Sequence, residues 1–301
     1  MEHRLIDWDS EGIAHWADVA PSNGAVLAVV LRGFVDAGHA GPQAADHILG
    51  LSEPTRIGTF DIDALLDYRS RRPEMTFSVN EWTDYDEPSL ALDVVHDANG
   101  TPFLMLSGFE PDLQWERFAL AAKEVVDRFG IGLTVGANGL PMAVPHTRDL
   151  TATVHGTDQS LLPDVPTVFG TVNVPASAQA LMSYRFGQWG LPAVTVAVHV
   201  PHYLAQTEYP QAAQRALTGI EDLTGLDLDV TGLDEEVESV GAEIDRQTRA
   251  SDEVRAVVEQ LEEQYDAFTE AREDATIDGP LPSADEIGAE FERFLRQQRS
   301  D

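Results

Sequence analysis

A continuous apolar run, Ala25-Val26-Leu27-Ala28-Val29-Val30-Leu31, leads straight into Arg32-Gly33-Phe34-Val35-Asp36-Ala37-Gly38-His39-Ala40-Gly41 and then into an Ala-rich segment ending at Leu49. A Val-rich run without polar alternation suits a strand buried on both faces, which is the habit of a parallel sheet. Gly33, Gly38 and Gly41 allow the chain to bend sharply and to bring backbone N–H groups close to a neighbour. Strand, tight loop and helix start in succession define one unit of an open α/β sheet, and ligands in such sheets sit at the carboxyl ends of the strands.

With 301 residues and 43% apolar content, the chain can bury one large core or two modest ones. No apolar run approaches the ~20 residues of a membrane helix. Met1-Glu2-His3-Arg4 leads to Asp7, Trp8 and Asp9 rather than to a signal-peptide core, so a soluble, cytoplasmic protein is expected. The absence of cysteine excludes disulfides, thiol catalysis and zinc–thiolate sites. The net charge of −33 argues against nucleic acid and anionic membranes, which bind through Lys and Arg. Residues 218–301 hold 25 acidic and 7 basic residues, more than half of that charge. They read as a solvated acidic helical face or as a surface for a basic partner.

Strands are expected at 56–62, 75–82, 90–96, 102–107, 131–135, 152–156 and 193–198, with a hairpin turn at Asn99-Gly100. Helices are expected at 113–129, 175–188 and 210–223. Asp112 is the expected N-cap and Gly130 the stop of the first, and Pro175 falls in the first turn of the second. In the tail, Leu233, Val237, Val240, Ile244, Gln247, Ser251, Val254, Val258, Leu261, Tyr265 and Phe268 alternate steps of four and three. That is a coiled-coil seam on one long helix, with a polar break at Gln247 and Ser251. A solitary helix of that kind needs a partner surface: the α/β body, a final helix near 283–298 after the Asp278-Gly279-Pro280 turn, or another subunit. Alternating strands and helices followed by helices alone imply an α/β domain at 1–229 and an acidic helical subdomain at 230–301.

Polar residues recur just after the strands: Arg32, Asp36, Glu110, Asn138, His146, Arg148, His199 and His202. Their convergence marks a candidate ligand pocket at the carboxyl edge of the sheet. Asp36 alternatively caps the following helix. Arg69, Arg71 and Arg72 form a basic island stopped by Pro73, either an exposed turn or, through Arg71 and Arg72, a clamp for an anion. His199 and His202 form an H-x-x-H pair, but Pro201 excludes a regular helix there. A metal would need a third ligand from His146, Glu110 or Asp36, and ordinary hydrogen bonding is the simpler reading, so neither metal nor cofactor is expected. Ser107 has no G-x-S-x-G setting, no Walker loop is present, and Lys123 is the sole lysine, which disfavours an ATP-dependent ligase.

Gly33-Phe34-Val35-Asp36-Ala37-Gly38, Asp67-Tyr68-Arg69-Ser70-Arg71-Arg72-Pro73, Gly108-Phe109-Glu110-Pro111-Asp112 with Trp115, and Pro145-His146-Thr147-Arg148 occur in that order. Together they resemble the proteasome assembly chaperone 2 family, in its actinobacterial branch. The resemblance covers about residues 20–225. It implies a three-layer α/β/α phosphorylase/hydrolase-like domain with a C-terminal helical subdomain, and a homo-oligomer, specifically a trimer. It also implies a non-enzymatic protein-binding or assembly role, since relatives of the family bind proteasome subunits. Their hydrophobic-tyrosine-X tail is not the ending found here, Gln297-Gln298-Arg299-Ser300-Asp301. The alternative is an enzyme or sensor that binds a small anionic, nucleoside- or phosphate-like molecule, with Arg71, Arg72 and Arg148 holding charge and Asp36, Glu110 or His146 moving protons.

Overall fold

The structure is a computed structural model that describes residues 5–163, 171 and 173–275. The expected final helix near 283–298 and the turn before it lie outside the described residues. In chain order the elements begin with β1 (Ile6–Trp8), α1 (Ser10–Val19), β2 (Ala25–Arg32), α2 (Ala40–Leu51), β3 (Thr55–Phe60) and α3 (Ile62–Leu65). Next come β4 (Met75–Ser78), β5 (Glu81–Tyr85), β6 (Leu90–His96), β7 (Pro102–Phe109), α4 (Trp115–Phe129) and β8 (Ile131–Met142). The described chain ends with β9 (Ala152–Gly156), α5 (Ala178–Trp189), β10 (Ala193–Pro201), α6 (Pro210–Thr224), α7 (Asp234–Ala250) and α8 (Asp252–Ala275).

Eight strands form one sheet in the order β1-β3-β6-β7-β2-β8-β10-β9. The central block β7-β2-β8-β10 is parallel, and the outer strands pair antiparallel. The parallel strands are the unbroken apolar runs of the sequence because helices cover both of their faces; every residue of β10 is buried. Leu27, Val29 and Leu31 of β2 face Phe118, Val125 and Phe186 from α4 and α5. Ala28 and Val30 face the opposite way, toward Ala44 and Ile48 of α2 and Ala212, Leu217 and Ile220 of α6. This is the three-layer α/β/α arrangement.

Local chemistry sets several boundaries away from the sequence expectation. α4 starts at Trp115 behind Gln114, which stands in the left-handed region at φ 57. Asp112 does not cap it. Its carboxylate instead accepts the Asp67 N–H and pairs with Arg71 at 3.0 Å. α5 begins after Pro175, at Ala178, where the Ser177 hydroxyl accepts the Ala180 N–H. β8 is 12 residues long, not a five-residue strand.

The segment expected as one strand at 75–82 folds back on itself. Val79, at φ 57, turns the chain, and β4 and β5 form a separate two-stranded sheet whose strand residues are all exposed. The tail is likewise divided. Ser251 adopts extended geometry (φ −128, ψ 120), which ends α7, and its hydroxyl accepts the Val254 N–H at the start of α8. The break falls where the apolar seam turns polar, so continuing the helix would bury nothing there. Val237 and Ile244 of α7 pack on the α6 side of the core, while Val258 and Leu261 of α8 are buried. Leu233, Val237 and Ile244 of the seam therefore meet the α/β body of the same chain, while Val254 and Phe268 of α8 are exposed.

Candidate functional site

The loop after β2 is held by two carboxylates. Glu110, at the end of β7, is 4% exposed. Its Oε2 accepts the Phe34 N–H at 3.0 Å and its Oε1 accepts the Gln179 N–H in the first turn of α5, also at 3.0 Å. Glycine at position 33 leaves this carboxylate its place: a Cβ would stand 2.8 Å from Oε2 of Glu110 and force it to shift. Asp36 accepts the Gly41 N–H at 3.0 Å and the Gly139 N–H at 2.9 Å, so one carboxylate holds the first turn of α2 and the far half of β8. Burial pushes its pKa up to about 6, against the lowering effect of those two N–H donors. Asn138 donates from Nδ2 to the Val35 carbonyl at 3.2 Å. Arg32, Asp36, Glu110 and Asn138 thus meet around one loop, as their positions after strands imply.

Arg71 braces the same loop. Its Nη1 donates to the carbonyls of Arg32 and Glu110, each at 3.3 Å. Arg32 lies 3.9 Å from Asp46 and sits over the Phe109 ring at 5.8 Å. Arg72 is exposed and makes no ion pair among the described residues.

His146 and Arg148 face the tail. The His146 ring is 5% exposed. The Tyr203 hydroxyl accepts the His146 N–H at 2.8 Å and lies 2.7 Å from its Nδ1. Nε2 lies 3.5 Å from Asp245 of α7, an ion-pair distance at which no well-aligned hydrogen bond forms. Burial lowers the His146 pKa, against the opposing pull of Asp245 and Glu262. Arg148 makes a forked pair with Asp266 of α8, Nε at 2.9 Å and Nη2 at 2.7 Å, and reaches Glu262 at 3.3 Å. Its pKa is raised chiefly by Asp266. Thr147 bonds Glu262, and the Tyr265 hydroxyl donates to the Asp149 carbonyl at 3.3 Å.

His199 and His202 end up in different settings. Both ring nitrogens of His199 meet threonine hydroxyls, Thr151 at 2.9 Å and Thr153 at 2.8 Å. His202 is exposed, edge-on to the Tyr203 ring at 5.5 Å. Among the described residues no three His, Asp or Glu side chains converge as metal ligands. Two surface concavities, of about 430 and 330 Å³, lie on the outer face of α4 and beside Asp9 at the start of α1, both away from these loops. Sequence reasoning missed Tyr203, Gln179, Asp245 and Asp266, partners brought close only by folding. The hairpin aromatics Phe77 and Trp82 carried a signal in Asn80, a turn former between two strand-forming runs.

The PAC2 family pattern matches residues 30–248. The chain belongs to the PAC2 family. Among solved structures, a protein of unknown function from Mycobacterium tuberculosis is 42% identical, with TM-score 0.86 over 92% of this chain and 94% of that one. A protein of unknown function from Corynebacterium glutamicum is 36% identical, with TM-score 0.83 over 89% and 99%. The Mycobacterium tuberculosis proteasome-assembly chaperone homologue shares the PAC2 fold at 21% identity, with TM-score 0.70 over 77% and 99%. Among curated proteins, none matches the chain. No helix among the described residues is long and apolar enough to cross a membrane.

Proposed function

We propose that this PAC2 protein is a non-enzymatic, cytoplasmic assembly protein that works as a homo-oligomer, specifically a trimer. The observation that carries the reading is the β4–β5 hairpin. Met75, Phe77, Val79, Trp82 and Tyr85 are exposed on it, Val79 at 95% and Trp82 at 64%. A lone two-stranded hairpin is at best marginally stable in water, and a cluster of exposed apolar side chains marks a contact surface. Its occupant is a second copy of this chain. The hairpin and its flanks carry Glu74, Glu81, Asp84, Asp86 and Glu87, while the island at its base offers Arg72 and the exposed Phe34 lies on the neighbouring loop. An acidic arm on each copy and a cationic, aromatic patch on the next suit a head-to-tail ring.

The proteasome-assembly chaperone homologue of Mycobacterium tuberculosis and an archaeal proteasome activator from Pyrococcus furiosus share this fold, which supports assembly as the class of role. The engagement of Arg71 and Arg148 with groups of this chain also favours it over an anion-binding enzyme, because those forks are already occupied. Native mass by sedimentation velocity tests the proposal. Wild type is expected at three times 32.9 kDa, and the Phe77→Ser/Trp82→Ser variant at the monomer mass with its fold intact. A monomeric wild type, or a trimer indifferent to that substitution, overturns it.

A further inference from the structure

The body-facing side of α8 is fixed by Val258 and Leu261, which are buried, and by the bonds of Glu262, Tyr265 and Asp266 to the loop after β8. A second apolar line runs beside it. Val254, Val257, Leu261, Gln264 and Phe268 step by three and four, the spacing of a helix-packing seam. With about 3.6 residues per turn, Val257 and Phe268 stand about a quarter-turn round the helix from Val258. This line is open to solvent: Val254 is 43% exposed, Val257 48% and Phe268 44%.

The chain beyond α8 lies outside the described residues, and its sequence and length fit that line. Asp278-Gly279-Pro280 breaks the helical pattern, and Ser283-Ala284-Asp285-Glu286 is a capping box. Ala284, Ile287, Phe291 and Phe294 then recur at steps of three and four, with Leu295 beside them. Residues 276–282 can reach about 25 Å, more than the roughly 10 Å between packed helix axes. Val254 to Phe268 extends about 21 Å along α8, and a helix over 283–298 would extend about 23 Å. Charge sets the direction. Asp285, Glu286, Glu290 and Glu292 come first, and Arg293, Arg296 and Arg299 follow. α8 opens with Asp252 and Glu253. Run antiparallel, the arginines come to lie over those acids; run parallel, acid would meet acid. A second copy suits the line less well, because two copies of α8 would crowd the exposed Glu253, Glu259, Glu263 and Glu270 of each into one contact.

We infer that residues 283–298 fold back as an amphipathic helix antiparallel to α8 and cover the line from Val254 to Phe268, so that the occupant of this surface is the chain's own later segment. In that register Ile287 falls beside Phe268, Phe294 beside Leu261 and Gln298 beside Val257. The docking does not depend on the assembly role, since it uses neither the hairpin nor Arg72.

The chain has no cysteine, so introduced thiols are its only ones. The full chain carrying Val257→Cys and Gln298→Cys, treated with a bismaleimide that spans about 10 Å, tests the docking. The bridge is expected within one chain, at monomer mass under denaturing electrophoresis. It should form at least about tenfold faster than in a Glu263→Cys/Gln298→Cys control, whose α8 position points away from the line, because docking raises the effective concentration of the two thiols. Adding Phe291→Ser and Phe294→Ser, which leave the described fold untouched, should erase that advantage. Bridges formed chiefly between chains, equal rates in the two cysteine pairs, or a rate indifferent to the serine substitutions would overturn the inference. A monomeric native mass would sink the trimer reading and leave this docking standing, since the bridge is scored inside one chain.

Discussion

Nε2 of His146 lies 3.5 Å from the Asp245 carboxylate, so a buried imidazole on the loop after β8 faces an acid on α7. Tyr203 holds the other ring nitrogen, and Asp245 and Glu262 are the charges that bear on it. Because burial holds the folded pKa below 6.5, neutral His146 contributes stability that is complete above that value. The contribution is lost as pH falls through the folded value. Protection factors in α7, with the intrinsic slowing of amide exchange at lower pH divided out, are expected to fall between pH 7 and pH 5, and His146→Gln should remove most of that pH dependence. Protection factors equal at both values would refute it.

Arg148 gathers α8 onto the body through Asp266 and Glu262. The pairs are partly exposed, so Arg148→Ala should lower global stability only slightly, and less at high salt. The local effect should be larger than the global one: limited proteolysis within 252–275 is expected to accelerate several-fold while the sheet stays protected. Equal loss of protection in β2 and α8 would show that α8 is not separately anchored.

Asp36 acts in the opposite sense to His146. Its folded pKa of about 6 stands above the ordinary 3.8, so the folded chain holds the proton more tightly. Stability is fully present below about pH 4 and falls as pH rises to about 6, by on the order of 3 kcal/mol for this group alone. Asp36→Asn should flatten that limb of a chemical-denaturation pH series. A slope unchanged by the substitution would place the titration elsewhere.

Glu110 accepts two backbone N–H groups from two elements. Glu110→Gln turns one acceptor into a donor facing a donor, which should destabilise the fold by about 1–3 kcal/mol. Urea midpoints would register it. A neutral result would mean that the loop after β2 and the start of α5 hold their places without it.

The strands and helices that bury apolar runs were legible because burial writes itself into a local pattern: β2, β6 and α6 lie within a residue or two of expectation. Legibility failed where a distant partner decided the outcome. Asp112 stands where an N-cap belongs, but Arg71 and the Asp67 N–H compete for its carboxylate. The 75–82 segment has strand chemistry on either side of Asn80, and the turn at Val79 and Asn80 makes it two strands. Arg148 looks the same in sequence whether it meets a ligand or Asp266. The grouping of Arg32, Asp36, Glu110 and Asn138 was readable from their places after strands, and so was the hold of Asp36 on the start of the next helix; the reach of Asp36 to Gly139, the two N–H groups on Glu110 and the donation by Asn138 were not.

The sheet closes on one side with three-residue β1 and on the other with five-residue β9, both antiparallel to their neighbours. Such brief margins give another chain little length on which to add a strand and extend the sheet from molecule to molecule. Encounters between copies are thereby steered away from fibre-like growth and toward contacts made by side chains, which can close on themselves. Aggregates of this chain, where they form, should on that account be amorphous rather than ordered.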